Sequence, residues 1–425
     1  MKAEALDYGA FSRALHVRAR GRRLPVNGSI EVTHRCPLAC AHCYNNLPVG
    51  DAEARKRELS KDELCRIIDE LADAGGLWLL FTGGEIFARA DFLDIYKHAK
   101  SRGFLVTLFT NGTQITEAIA DTLVEWPPFS IEITLYGATR ETYERLTRVE
   151  GSFDRCMRGI RLLKERGLPL TLKTVAVTIN RHEVGDMQRL ADALGVGFKF
   201  DGMINARIDC SHRPLEVRLS PGEMVQLDLE DPVRAAEWAN LLSRRAATPP
   251  PKNDTVYHCG GGTSAFAIDP EGKLSICVLS HQDAFDLRAA GFAEAWEDLA
   301  KVRARPATRA TKCTSCGIRE ICSTCAATAE LEHGDAETPV DYFCEVAHLR
   351  ALGVGHTPPA HGDCAFCEGG AEHARLLEEL GAVQRGMRSG RRHLAVVPES
   401  ATALRSGCGS GGCGNCGGDT IGGQP

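Results

Sequence analysis

Six short β-rich runs alternate with amphipathic stretches between Ser29 and about Asp209, and this alternation limits the possible folds more than any other feature of the chain. The β-rich runs are 30–33, 77–81, 104–109, 130–135, 170–177 and 197–200. Between them, residues 60–74, 91–102, 114–125, 152–166 and 183–194 carry apolar side chains at helical spacing. Ser60-Lys61-Asp62-Glu63 has the form of a capping box, and Gly75, Gly103 and Gly167 stand where helices stop. Strand–helix units in series predict an α/β fold with a parallel sheet, closed or partly closed into a (β/α)6 TIM-like barrel.

Such barrels place their active residues at the C-terminal ends of the strands. Cys36, Cys40 and Cys43 follow the first strand, Thr82-Gly83-Gly84-Glu85 the second, Thr110-Asn111-Gly112 the third, and Tyr136-Gly137 the fourth. All four groups therefore open onto one rim. Three thiolates spaced C-x3-C-x2-C can hold three corners of an iron–sulfur cubane. Clusters ordinarily take a cysteine at every iron, so the fourth iron would be open to another molecule. A zinc knuckle uses the same residue types but prefers paired C-x2-C units and a closed tetrahedral shell.

Composition narrows the alternatives. The 425 residues are 43% hydrophobic and 25% charged, enough apolar material for one large domain and a smaller one. A net charge of -6 supplies no general basic field for nucleic acid or an anionic membrane. The basic stretch Arg18 to Arg23 reads as a short solvated arm. No window approaches the roughly 18 apolar residues of a membrane span, and the N-terminus lacks a signal-peptide core. The expectation is a cytoplasmic protein, in which 18 cysteines point to metal or redox chemistry rather than disulfides.

The second half of the chain is richer in cysteine. Ser220-Pro221-Gly222-Glu223 opens a helix predicted to reach about Arg245, and Thr248-Pro249-Pro250-Pro251 reads as a linker. Asp269 to Lys273 reads as a hairpin turn between two alternating apolar runs, which would bring Cys259 and Cys277 near one another. Cys313-x2-Cys316-x5-Cys322-x2-Cys325 and Cys344 follow, then a helical stretch near 375–380 and a Gly-rich tail. Cys364 and Cys367 form one C-x2-C pair, and Cys408, Cys413 and Cys416 lie in the tail. These read as a zinc site, a mobile dithiol, incidental thiols of a low-complexity tail, or a mimic of a peptide substrate. The expected divisions are an arm (1–28), the barrel (29–210), a helical bridge and linker (211–254), a cysteine-rich domain (255–350) and a Gly/Cys-rich extension (351–425).

The Cys36/Cys40/Cys43 spacing resembles the signature of the radical S-adenosylmethionine (SAM) superfamily, and the block from Cys259 to Cys344 is similar to its SPASM domain, which carries two auxiliary clusters. The resemblance covers about Ser29 to Arg350. It implies SAM and a 4Fe-4S cluster at the triplet, with His42 in the usual aromatic position beside the cluster. Thr82, Gly83, Gly84 and Glu85 look like the family's GGE motif, which holds the SAM amino group through glycine backbone groups and the glutamate carboxylate. Thr134 looks like its hydroxyl residue near the ribose and carboxylate, and Asn111 and Lys173 are further rim candidates. Cys313, Cys316, Cys322 and Cys344 would hold one auxiliary 4Fe-4S cluster, and Cys259, Cys277 and Cys325 the other.

Two departures bear on the second set. Two residues rather than three separate Cys322 from Cys325, and no cysteine stands shortly before Cys259, around Asn253. That cluster would be open or completed from elsewhere, for example by Cys210, whose plainer reading is a small buried hydrophobe. Cys65 and Cys156 read as core residues.

The resemblance implies hydrogen abstraction from a peptide. The expected enzyme is a maturase forming a thioether or carbon–carbon crosslink in a ribosomally made peptide or peptide-derived cofactor. A sulfatase-maturase-like dehydrogenase acting on Cys or Ser is the alternative, and a non-catalytic iron–sulfur carrier or zinc scaffold a distant one. Implied partners are a peptide or protein substrate, a reductant such as flavodoxin or ferredoxin, and a separate leader-binding protein, without nucleic acid or membrane. No side-chain acid or base stands out as catalytic.

Overall fold

The computed structural model describes residues 7–246 and 255–390. Six strands, β1 (Asn27–Thr33), β2 (Trp78–Gly83), β3 (Leu105–Thr110), β4 (Ser130–Thr134), β5 (Leu170–Val175) and β6 (Gly197–Asp201), lie side by side in that order. Each runs parallel to the next. Helices Lys61–Asp73, Phe92–Ser101, Glu117–Glu125, Ser152–Glu165 and Val184–Leu194 occupy the crossovers, close to where the apolar spacing places them. The Ser60–Glu63 capping box forms as predicted.

Strand side chains alternate between faces, and burial follows that period. Leu79, Phe81, Val106, Leu108, Ile131, Ile133 and Leu172 are buried, while Thr82, Phe109, Glu132, Thr134 and Lys173 on the other face are only partly so. Each fully buried apolar side chain contributes roughly 1.5–3 kcal/mol, so the apolar face secures the sheet and leaves the polar face available at the strand ends.

The sheet does not end with the six expected strands. β7 (Ala265–Ile268) pairs parallel with β1, and β8 (Lys273–Ser275) and β9 (Phe285–Asp286) continue the sheet antiparallel. Asp269 makes the predicted turn, its Oδ1 accepting from the N–H groups of Glu271 and Lys273, both at 2.9 Å. The expected cysteine-rich domain is therefore divided: Cys259–Arg305 belongs with the barrel in one compact unit, and the described residues from Pro306 to Gly390 belong with those of Arg218–His258 in a second.

The N-terminal segment is also not a free arm. Tyr8–Arg22 is helical. His16 stacks on Trp78 at 4.7 Å, and Arg23 lies 4.6 Å over the Trp296 ring and donates to the Gly262 carbonyl at 3.1 Å. Arg23 is thus held by the barrel unit rather than solvated.

In the second unit the predicted helix splits into Pro221–Glu230 and Pro232–Ala246. Pro232 has no N–H and clashes with the preceding turn, which explains the break. Buried Asp228 accepts from Arg234 at 2.5 Å and Arg350 at 2.6 Å; Arg350 also covers the Trp238 ring at 3.9 Å and donates to Ile321 O at 2.8 Å. Trp238, Leu242, Ile318, Ile321, Ala347 and Ala351 form a core against which Cys316 and Cys322 pack. Among the described residues no helix is long and apolar enough to cross a membrane. The expected linker at 248–251 and Cys408, Cys413 and Cys416 lie outside the described residues.

Candidate metal and cofactor centre

Contacts within the protein itself shape the loop after β1. Arg35–Cys36 pairs with Leu47–Pro48, closing the loop at its base, and Arg35 reaches both oxygens of Glu58 at 2.8 and 3.0 Å. Within the loop, the N–H groups of Ala39 and Ala41 donate to the carbonyls of Thr147 and Leu146, each at 3.0 Å. Cys36 Sγ accepts from the Leu38 N–H at 3.4 Å and from Asn111 Nδ2 at 3.5 Å. Cys43 Sγ lies 3.5 Å from Asn45 Oδ1, and Cys40 packs beside Tyr136.

Burial pushes all three thiols above the ordinary cysteine range, Cys36 to about 12, and their mutual repulsion adds to it for Cys36 and Cys40. Metal ligation requires thiolates, so a bound cation is what would ionise this set. Three soft sulfur donors in a prebuilt loop fit an iron–sulfur cluster. His42 is 5.4 Å from the Tyr136 ring, its Nδ1 is buried without a hydrogen-bond partner, and burial lowers its pKa to about 4, leaving a neutral imidazole.

The two glycines of the second motif are required by the backbone beside them. A Cβ on Gly84 would stand 2.5 Å from Arg35 O, and one on Gly83, whose φ is +124°, would collide with Thr33 O. The Gly84 N–H donates to Thr33 O at 2.7 Å and the Glu85 N–H to Arg35 O at 3.1 Å, tying this turn to the approach to Cys36. Buried Glu85 accepts from Thr110 Oγ1 at 2.7 Å, the Phe87 N–H at 3.2 Å and the Asn111 N–H at 2.8 Å. Three of its four lone-pair positions are thus used within the protein. Glu85 joins the ends of β2 and β3 and holds Asn111 against Cys36; one acceptor position on Oε2 remains.

Thr134 and Lys173 are partners on β4 and β5. Lys173 Nζ lies 3.3 Å from Glu132 and 2.8 Å from the Phe109 ring centroid, and Lys199 reaches the same carboxylate at 2.8 Å. Burial lowers Lys173 to about 7 against the raising effect of Glu132. Tyr136 lies on the rim as expected, but Glu132 was missed from the sequence, although a carboxylate on the polar phase of a β-former run was the available signal.

The remaining cysteines divide between the two units. Cys259 and Cys277 lie in the barrel unit, where Ile276 packs against Gly261 and brings the two cysteine turns side by side. In the second unit the Cys316 N–H donates to Cys313 O at 3.4 Å, and Cys322 Sγ lies 3.6 Å from Phe343 O, next to buried Cys344. Cys325 is exposed at the start of helix Ala326–His333. Cys156 is buried as expected and Cys65 partly so. Cys210 departs from the buried-hydrophobe reading: it is exposed, with φ +63°, in a turn closed by its N–H to Arg207 O. Sequence reading also missed two imidazoles: His348 and His361 join Cys364 and Cys367, with all four ligand atoms within 4.8 Å of one another.

A parallel βα sheet with a three-thiol loop at the C-terminal end of its first strand defines the class: a βα barrel with a candidate metal–thiolate site at its rim. Residues 30–192 match the sequence model of the radical SAM superfamily, so the chain carries a radical SAM domain. SAM and a 4Fe-4S cluster are the cofactors of this family. The AdoMet-dependent heme synthase of Methanosarcina barkeri is 26% identical, over 72% of this chain and 92% of the relative. The PqqA peptide cyclase of Ruegeria pomeroyi is 35% identical but matched over only 42% of its own length and 39% of this chain. The mycofactocin maturase MftC of Mycolicibacterium smegmatis is 29% identical, over 71% of this chain and 78% of the relative. Two solved structures share the fold: Streptococcus suis SuiB bound to its precursor peptide SuiA, and anSMEcpe with bound AdoMet. SuiB superposes with a TM-score of 0.58 at 16% identity, over 80% of this chain and 82% of that one. anSMEcpe gives 0.58 at 14% identity, over 84% and 100%.

Proposed function

We propose that this protein is a radical SAM/SPASM peptide maturase that abstracts hydrogen from a peptide and forms a thioether or carbon–carbon crosslink. The observation that carries the reading is the prebuilt loop bearing Cys36, Cys40 and Cys43, tied to the Gly83–Glu85 turn and Asn111. Likeness to relatives named peptide cyclase and maturase supplies the substrate class. When bound, the cluster and SAM supply an electron and a 5′-deoxyadenosyl radical.

The chain's own residues bind and position. Cys36, Cys40 and Cys43 hold the cluster, Asn111 orients Cys36, and His42 and Tyr136 shield its side. Glu85 keeps the β2 and β3 ends at fixed separation and offers its remaining acceptor, with Thr82, Gly83, Gly84, Thr134 and Lys173 completing the cofactor's surroundings. Cys313, Cys316, Cys322 and Cys344 hold one auxiliary cluster, and Cys259, Cys277 and Cys325 the other. A flavodoxin or ferredoxin supplies electrons, a separate protein presents the peptide leader, and the reaction takes place in the cytoplasm.

A second reading rests on the heme synthase and on the Fe-coproporphyrin III synthase of the same organism, each matched over most of both chains; it puts a porphyrin in the peptide's place. The experiment is anaerobic reconstitution followed by incubation with SAM, dithionite and either peptides encoded beside the gene or iron coproporphyrin. The maturase reading expects about twelve irons, or fewer if an auxiliary cluster is incomplete. It also expects 5′-deoxyadenosine and a mass shift on a peptide, both lost in Cys36→Ala. Turnover of the porphyrin alone would replace it, and bound iron without SAM cleavage would defeat both readings.

A further inference from the structure

We propose that His348, His361, Cys364 and Cys367 form a closed mononuclear zinc site, separate from the iron–sulfur ligands. Zinc with two cysteines and two histidines is tetrahedral, with Zn–S near 2.3 Å and Zn–N near 2.05 Å, so its S···N edges are about 3.6 Å. Here Cys364 Sγ lies 3.6 Å and Cys367 Sγ 3.4 Å from His348 Nε2, and one ligand atom from each of the four residues lies within 4.8 Å of the others. The two S···N separations match the S···N edges of a zinc shell. Two thiolates and two imidazoles closing on one point suit zinc, whereas an iron–sulfur cluster calls for thiolates spread over several irons.

Two independent features support ligation. His348 Nδ1–H donates to the Cys344 carbonyl one turn back at 2.8 Å, which fixes the tautomer and leaves the Nε2 lone pair aimed at the two sulfurs. A metal-bound histidine characteristically makes this outer bond. His361 repeats the pattern: its Nδ1–H donates to the Pro359 carbonyl at 3.0 Å, which leaves the lone pair on Nε2, a buried atom without a hydrogen-bond partner.

Cys344 is excluded from the shell by direction. Its Sγ is 3.9 Å from Cys364 Sγ, but it approaches His348 at Nδ1, at 3.8 Å, behind the nitrogen that faces the other sulfurs. It remains free to serve the cluster proposed for Cys313, Cys316 and Cys322.

The site has a structural purpose. Between helices Asp341–Gly353 and His373–Gly390 the chain has no regular secondary structure, yet Cys364, Phe366 and Cys367 are buried. A segment with so few apolar side chains gains its cohesion from a metal clamp. The clamp fastens the segment to the helix one turn beyond Cys344, and so positions that ligand.

The test uses the full chain, purified anaerobically after growth with added zinc, with zinc and iron counted on one sample. The expected results are about one zinc per chain and a zinc X-ray absorption spectrum with two nitrogen and two sulfur neighbours. Cys364→Ser/Cys367→Ser should lose the zinc while keeping the iron. His361→Ala, on a half-buried loop residue, should lower zinc retention against a chromophoric chelator even if the double variant folds poorly. Zinc that persists in the double variant, an all-sulfur zinc spectrum, or loss of about four irons with Cys364 would overturn the assignment. None of these readouts depends on SAM cleavage, so the site and the proposed maturase activity can fail separately.

Discussion

The loop of Cys36, Cys40 and Cys43 and the cluster of His348, His361, Cys364 and Cys367 use similar atoms for opposite ends. The first offers three sulfurs on a loop at the barrel rim, its backbone anchored to Thr33–Arg35, Leu146 and Thr147. Three sulfurs would leave one iron of a cubane without a protein ligand. The second gathers two sulfurs and two imidazoles within 4.8 Å, from one helix and the irregular segment that follows it. Four donors would leave a zinc no open position. Donor number and the support behind each donor, rather than the count of cysteines, separate an open centre from a closed one.

The comparison can be broken most severely at its open side. Cys36→Ala should reduce 5′-deoxyadenosine formation to background while zinc content stays unchanged; residual cleavage near wild-type rates would show that the triplet is not the radical-generating centre.

Next in size is Asp228→Ala, which leaves Arg350 and Arg234 without their buried carboxylate in the unit that carries the closed centre. Removing one partner of a buried pair costs about 3–5 kcal/mol. Anaerobic urea denaturation should show that loss, and a change below 1 kcal/mol would mean that Asp228 is not the anchor of these helices.

Gly84→Ala acts on the opposite unit. A Cβ placed 2.5 Å from Arg35 O must push the Cys36 approach aside, at a cost of roughly 1–3 kcal/mol. Iron retention should fall with zinc retained, and a variant with unchanged stability and iron would contradict the proposed role of the tight turn.

The smallest effect concerns Lys173. Its folded pKa of about 7 lies below its ordinary 10.5, so between these values the unfolded chain holds a proton that the folded chain does not. Stability from this group therefore rises with pH across that window and is lost as pH falls through 7. Relative to Lys173→Met, wild type should gain at most about 1.4 kcal/mol per pH unit between pH 7 and 9. Parallel pH profiles would show that Lys173 keeps an ordinary pKa.

The barrel was legible because its determinants are local. Period-two burial on β2 to β5, the Ser60 capping box and the glycine stops each act within a few residues. β7 was not legible as a neighbour of β1, because the edge pairing of Asn27 with Ala265 joins segments more than 200 residues apart. The helix Tyr8–Arg22 was hidden because it lacks a strong apolar stripe and is held by ring contacts from Trp78 and Trp296.

The candidate site shows the same division. The spacing of Cys36, Cys40 and Cys43 announces them, but the backbone partners of Gly83, Gly84 and Glu85 depend on three strand ends meeting. Cys364 and Cys367 were visible as a pair. Their imidazoles were not, because His348 turns toward them from a helix and His361 from an irregular loop.

Metal counting on Cys36→Ala/Cys40→Ala/Cys43→Ala beside wild type tests the contrast between the two centres most directly. Both proteins would be reconstituted anaerobically and measured for iron, zinc and SAM cleavage. The triple variant should lose about four irons and all SAM cleavage, with zinc unchanged. Iron equal to wild type, or zinc lost together with the iron, would contradict the separation of an open cluster at the barrel rim from a closed zinc centre in the second unit.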